Sequence, residues 1–366
     1  MSTTILGGVI FVVVFAGIIL LHELGHFIVA RLFHIEVEEF GIGFPPRAVK
    51  LFNWKGTDFT LNWIPLGGFN KIKGEDDPNM PGGMAAAKPW KRIAVLLAGA
   101  SMNLLTAVLV YTIFFSQVGI PDNHTTVVAV VDAGSPAEQG GLAVNDTILA
   151  AGGMHVTSYA RLVEITHNYL DEPLPLVILR EGQVLEITVT PRSASPADEG
   201  PMGVAIGQPL YPPKSWFQTI PAGFSAVGSD INNLLALPGR IIAGTIPAQE
   251  AQVGGPRSIW NLFQQSVARD VASRQTATSS QSQVPTNYTL LVIISLTLTV
   301  AVINLLPIPA LDGWRVFTSL VEIILRRSIP AKYQAAINSL GFMVLLILLG
   351  FFYIKDIISP VTFTLP

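Results

Sequence analysis

Four stretches of this chain are long, apolar and almost free of charge, and that limits the fold more than any other feature. No charged residue precedes His22, and residues 4–30 are apolar apart from a His/Glu cluster. Residues 93–121, 288–310 and 333–354 carry no Asp, Glu, Lys or Arg at all. A helix needs ~20 such residues to cross a bilayer. Hydrocarbon offers backbone amides no partner, so a spanning segment must bond within itself. The expectation is a polytopic α-helical membrane protein with four transmembrane helices. The composition agrees: only 13% of the 366 residues are charged, against about 25% in an ordinary soluble domain. The net charge of −3 gives nucleic acid no footing as a partner, and the absence of cysteine rules out disulfides and thiolate metal sites. The first span has no basic n-region and no clear small-residue cleavage site, so it reads as retained.

Basic residues set an expected orientation. Arg47, Lys50, Lys55, Lys71, Lys73, Lys88, Lys91 and Arg92 lie between spans one and two, and Arg315, Arg326, Arg327 and Lys332 between spans three and four. Both loops are therefore expected in the cytoplasm, with the long insert outside.

The first basic loop is itself unusual. "IEVEEFGIGFPPRAVKLF" and "TDFTLNWIPLGGFNKIKGEDD" alternate like strands, yet are apolar enough to enter lipid. Non-helical backbone is tolerated at that depth only against protein or a wet cavity. A membrane re-entrant β-hairpin beside the first helix meets that condition.

The insert reads as a small β-rich module. "TTVVAVV" and "LPLVILREGQVLEITVTP" are strand-like, the second broken by a turn at Glu181-Gly182. "SYARLVEITHNY" has helical spacing, and "MGVAIG" (202–207) is a further strand. The run "GSPAEQGGLAVNDTILAAGG" resembles the hallmark of circularly permuted bacterial PDZ domains. Asn145 stands where that family has glycine, a position where Asn tolerates a left-handed backbone. The expected division is residues 1–121 as the N-terminal membrane half, 122–207 as a PDZ domain, 208–287 as an interfacial and linker region, and 288–366 as the C-terminal membrane half.

The chemistry is concentrated in "LLHELGHFIVA", residues 20–30. His22 and His26 share a helix face at i, i+4 and can grip one metal ion, with Glu23 beside them as general base. Unpaired ionisable groups are costly inside a span, so metal binding is the economical explanation. A third ligand is needed. Glu36, Glu38 and Glu39 are nearest in sequence but sit in a strand-like stretch. Asp312 follows Pro307 and Pro309 at the end of the third span, and coupled to HExxH it is the preferred ligand.

HExxH, "IPLGGFNKIKGE", "AGASMNLLTAVL", a PDZ-like insert, "GGPRSI" and "NLLPIPALDG" occur in the order found in site-2 proteases, the zinc-dependent intramembrane proteases of regulated intramembrane proteolysis. The resemblance implies Zn2+ held by His22, His26 and Asp312, with Glu23 activating water. It also implies that Asn304 stabilises substrate or transition state, and that Asn103 packs near the site. It further implies transmembrane substrates of the anti-sigma-factor or signal-peptide kind, peptide tails or extended segments at the PDZ, and a bacterial cytoplasmic membrane location with the PDZ outside. Departures at Ala100, Trp314 and "GPRSI" change neither a metal ligand nor the base, and bear on substrate preference rather than chemistry. The rival readings are a PDZ-bearing receptor or scaffold with a non-catalytic metal site, and a metal transporter. The intact ligand set with Glu23 argues against the first, and the scarcity of polar residues in span four against the second.

Overall fold

The first helix, α1 (Thr3–Leu32), carries no ionisable side chain before His22, about five turns, and so has no water-facing stripe there. The chain then turns into a long antiparallel pair, β1 (Val37–Trp54) and β2 (Thr57–Ile72). Trp54 faces Thr57 across Lys55-Gly56, both at positive φ (50° and 90°), which is the two-residue hairpin geometry that favours glycine in second place. The pair curls on itself: Phe40 to Ile42 face Phe59 to Leu61 and also Gly68 to Asn70. It packs along α1 through Phe27, whose ring meets Phe40 and Phe59 at 5.4 and 5.6 Å. Away from that contact it exposes large apolar side chains, among them Phe44, Leu51, Ile64 and Trp63, the last at 72%. The second long helix, α2, covers Pro89–Val118.

This computed structural model describes residues 3–75, 77, 79–122, 125–196, 199–207, 209–213, 215–243, 254–279, 287–327, 329–359 and 361. The chain forms two compact units, Met1–Gln117 with Ser215–Pro366, and Val118–Lys214.

The inserted unit contains β3 (Ile120–Pro121), β4 (Thr126–Val131), α3 (Pro136–Gln139), β5 (Thr147–Ala151), β6 (Met154–His155) and α4 (Tyr159–Asn168). It continues through β7 (Leu174–Arg180), β8 (Gln183–Val189), β9 (Val204–Gly207) and β10 (Leu210–Tyr211). The main sheet runs β8-β7-β5-β4-β9, with β6 on β5, and β10 pairs with β3. Ile148, Leu162, Ile165, Leu176 and Ile178 fill its core. Ser135 caps α3 by accepting from the Glu138 N–H, and Pro136 follows it where no N–H is needed. Glu181-Gly182 makes the expected turn, and Asn145 takes the left-handed backbone, φ 72°.

Asn145 precedes the unit's main ion pair. Asp146 is 1% exposed and accepts from Arg180 Nε at 2.7 Å, Arg180 Nη2 at 2.6 Å and the Ala143 N–H at 2.7 Å. Burial pushes the Asp146 carboxyl upward, but the Arg180 and Ala143 hydrogen bonds outweigh it and hold it below the usual carboxylate range. A depressed carboxyl stabilises the fold above its unfolded pKa, and that stability is lost as pH falls through the folded value. Asp146→Asn will therefore weaken this unit at neutral pH, read as faster hydrogen exchange in β5. The gap to wild type will close below the ordinary carboxylate pKa of about 3.9. A gap independent of pH would mean that the charge is irrelevant.

The chain then enters α5 (Thr219–Ile242) and α6 (Pro256–Ser279). Both fall in the stretch 208–287 expected as an interfacial and linker region, of which residues 208, 214, 244–253 and 280–286 lie outside the described residues. Then come α7 (Tyr288–Leu305), α8 (Asp312–Leu325) and α9 (Ala331–Ile358). Two buried carboxylates tie these helices by capping their first turns. Asp356 of α9 accepts from the Ser258 N–H of α6 at 2.9 Å, and Asp270 of α6 from the Tyr288 and Thr289 N–H groups of α7 at 2.8 and 2.9 Å. Among the described residues, four helices are long and apolar enough to cross a membrane: Thr4–Leu32, Pro89–Val118, Tyr288–Leu305 and Lys332–Ile358.

One further strut joins α2 to α8. Arg92 pairs with Glu322, whose side chain is 5% exposed and which also accepts from the Ile329 N–H at 2.8 Å. Removing one partner of such a pair strands the other charge, at a cost of about 3–5 kcal/mol. Glu322→Ala will lower the thermal unfolding temperature markedly, whereas joint replacement of Arg92 and Glu322 by Met will recover most of the loss. Equal losses would show that the ion pair is incidental.

Candidate metal centre

Residues at i and i+4 of a helix project from one face. On α1 this stacks His22 and His26 with ring centroids 4.8 Å apart, each 7% exposed. Asp312 arrives from 290 residues away in sequence. Pro307 and Pro309 cannot continue α7. Leu306 is therefore extended, Ala310 takes a left-handed backbone (φ 78°), and helix resumes at Asp312 as the first residue of α8. Its carboxylate thus sits on a helix N-terminus, where negative charge is favoured.

The three side chains converge on one point. His22 Nε2 lies 3.0 Å from Asp312 Oδ2, His26 Nε2 lies 3.2 Å from the same oxygen, and the two Nε2 atoms are 3.2 Å apart. Among the described residues this is the His/Cys/Asp/Glu cluster able to close on one ion. Zinc with ligands at about 2.0–2.1 Å spaces tetrahedral neighbours about 3.3 Å apart, which is nearly this triangle. Hydrogen bonding alone explains it poorly. His26 Nδ1 lies 2.7 Å from the Val95 carbonyl oxygen, which can only accept. In a neutral ring the Nε2 lone pair of His26 then faces His22 and Asp312. Two imidazoles and a carboxylate also leave a fourth corner, the pattern of catalytic rather than structural zinc sites.

The backing wall is α2. Val95, Gly99 and Asn103, spaced four apart, form one stripe against the histidines. Val95 accepts from His26. A Cβ on Gly99 would stand 2.4 Å from His26 Nε2 and 2.7 Å from His22 Nε2. Asn103, fully buried, places Nδ2 3.4 Å from His22 Nδ1. The helix backbones themselves touch, since a Cβ on Gly25 would stand 2.3 Å from the Ala98 carbonyl oxygen. The sequence reading did not pick out Val95 or Gly99. The glycine was discoverable, because it sits one turn before an asparagine in an uncharged span.

Glu23 is half-buried beside the cluster, close enough to His26, Asp312 and Glu75 to feel their charges. Asn304 lies half-buried in the last turn of α7, with no hydrogen bond to His22, His26 or Asp312. The other candidate third ligands are engaged elsewhere: Glu36 with Lys73 at 2.7 Å, Glu38 with Lys71 at 2.8 Å and Glu39 with Arg47 at 2.6 Å.

Comparison with known proteins places this arrangement. The sequence model described as "Peptidase family M50" matches residues 10–348. A Clostridium perfringens protein named "Putative zinc metalloprotease" is 36% identical over 352 residues, covering 95% of this chain and 97% of that protein. A Campylobacter jejuni protein of the same description is 31% identical over 360 residues, covering 94% and 92%. Metalloprotease MmpA of Caulobacter vibrioides is 27% identical over 371 residues, covering 92% and 91%. With a match of this extent, the chain belongs to peptidase family M50, the site-2 proteases.

Proposed function

We propose that this protein is an intramembrane zinc endopeptidase of regulated intramembrane proteolysis, cutting transmembrane segments of membrane proteins that have already been trimmed. The observation that carries the reading is the triangle of His22 Nε2, His26 Nε2 and Asp312 Oδ2. These three residues hold the ion. Bound there, zinc supplies a Lewis acid that brings the pKa of water towards ~7. Glu23 takes the proton of the attacking water and returns it to the leaving amide nitrogen. Asn304 hydrogen-bonds the scissile carbonyl.

A transmembrane helix hides its amides in its own hydrogen bonds, so it must be unwound before attack. The exposed apolar surface of the β1–β2 pair supports its reading as a re-entrant element in lipid, where it adds the unwound segment as a strand. The Val118–Lys214 unit is read as a PDZ domain. A groove between α4 and β9, lined by Leu162, Thr166, Met202, Val204 and Ile206, supports capture of an extended peptide, and β9 ends the sheet order on that side. Basic loops face the cytoplasm and the PDZ lies outside the bacterial cytoplasmic membrane. In that position it screens out substrates with intact ectodomains. The preferred substrates are anti-sigma factors or residual signal peptides.

The test is cleavage of a transmembrane-helix reporter with a short ectodomain by purified full-length protein carrying one zinc. A cut inside the apolar segment supports the reading. A chain that binds zinc and tails but cuts none of several such reporters would make it a receptor instead.

A further inference from the structure

A histidine ligating through Nε2 must keep that lone pair free, which puts its ring proton on Nδ1. Something must then accept the Nδ1–H. His26 meets this requirement with the Val95 carbonyl oxygen, 2.7 Å away. His22 faces a different group, the Asn103 carboxamide, fully buried and 3.4 Å from Nδ1 through Nδ2. In that orientation the amide donates, and a neutral His22 carries its proton on Nε2, the atom aimed at Asp312 and His26. The same orientation leaves Asn103 Oδ1 buried with no partner. Turning the amide would give that oxygen a donor and move the His22 proton to Nδ1. The planar amide has nearly the same shape when turned by 180°. Turned, Oδ1 accepts from His22 Nδ1–H, and Nε2 is released.

We infer that Asn103 is a positioning residue whose carboxamide oxygen accepts from His22 Nδ1–H and fixes the ligand-competent tautomer. This rests on the metal reading above. The spacing of Val95, Gly99 and Asn103 supports it: one stripe of α2 gives a carbonyl to the second histidine, an empty space to both rings and an amide to the first. Partners outside the ligand set that orient imidazoles in this way typically change metal affinity 10–100-fold when removed.

The experiment measures zinc affinity of the full-length protein in detergent by competition with a chromophoric chelator, with the absorption of the Co2+-substituted site as a second readout. Wild type will bind one zinc. Asn103→Leu, which fills similar space but accepts nothing, will bind 10–100-fold more weakly, with an altered Co2+ spectrum. Asn103→Asp, which can only accept, will return to within a few-fold of wild type. A plain packing role predicts the reverse, since Leu packs well and Asp buries a charge. Equal affinity of Asn103→Leu and wild type overturns the inference, as does Asn103→Asp as weak as Asn103→Leu. Absence of zinc binding by wild type instead overturns the metal reading itself. Should Asn103→Leu not fold, isotope-labelled wild type loaded with zinc decides. A contact from His22 Nδ1–H to the Asn103 side-chain carbonyl carbon supports the inference, and an unprotonated His22 Nδ1 overturns it.

Discussion

Glu23→Gln will keep its zinc and lose its cleavage. The three atoms that close on one point belong to His22, His26 and Asp312, so the substitution removes no ligand. Gln has the shape of Glu and can still hydrogen-bond, but it cannot take a proton from water or deliver one to a leaving amine. Removing a positioned general base costs about 10²–10⁴-fold in rate. The expected result is one zinc per chain and turnover of a trimmed transmembrane reporter reduced by that factor. His26→Ala should lose both, because it opens the triangle. The pair of variants separates binding from proton transfer. If Glu23→Gln still cut at more than a tenth of the wild-type rate with its zinc in place, the base would have to be another residue. If it lost its zinc, Glu23 would be holding the site together, and its assignment as base would lose its support.

Much of this was legible because lipid leaves few options. Uncharged runs of twenty or more residues can only be helices there, and all four spans fall where the sequence places them. His22 and His26 were legible for the same reason, since ionisable groups in such a run need a partner. Asp312 was harder. Its approach depends on a turn through Pro307, Pro309 and a left-handed Ala310, and only the structure gives that turn a direction. Helix α8 was not singled out although its fourteen residues are amphipathic, and its anchor, Glu322 with Arg92, spans 230 positions and has no local signature. α6 escaped because it has little apolar contrast and its tie to α7, Asp270, caps a helix across a sequence gap. The α2 stripe stayed hidden for a subtler reason. A glycine in an apolar helix looks like any other until a second helix is laid against it.

That stripe makes the sharpest structural prediction. Gly99→Ala adds one methyl group, yet its Cβ would lie 2.4 Å from His26 Nε2 and 2.7 Å from His22 Nε2, well inside contact distance. The helices cannot simply move apart. Gly25 already brings the α1 backbone against the Ala98 carbonyl, where even a Cβ would stand 2.3 Å away, and Phe27 and Val95 lie together in the adjoining core. The rings must therefore rotate off the point they share with Asp312. Overpacking of this kind costs about 1–3 kcal/mol, and here the strain falls directly on the ligand atoms. Zinc affinity should drop by about tenfold or more, at 1.4 kcal/mol per decade, and cleavage should fall with it. Gly17→Ala on α1 is the control: nothing lies within 4 Å of that Cβ, so both readouts should stay at wild-type level. The apo forms of the two variants are compared by thermal unfolding, which separates a displaced site from a lost fold. Gly99→Ala with normal zinc and normal turnover would mean that the α1–α2 gap is wider than this geometry, and the Asn103 contact would lose its basis as well. Loss of zinc in a folded Gly99→Ala chain would instead establish that the site is shaped as much by the atom missing from α2 as by the ligands on α1 and α8.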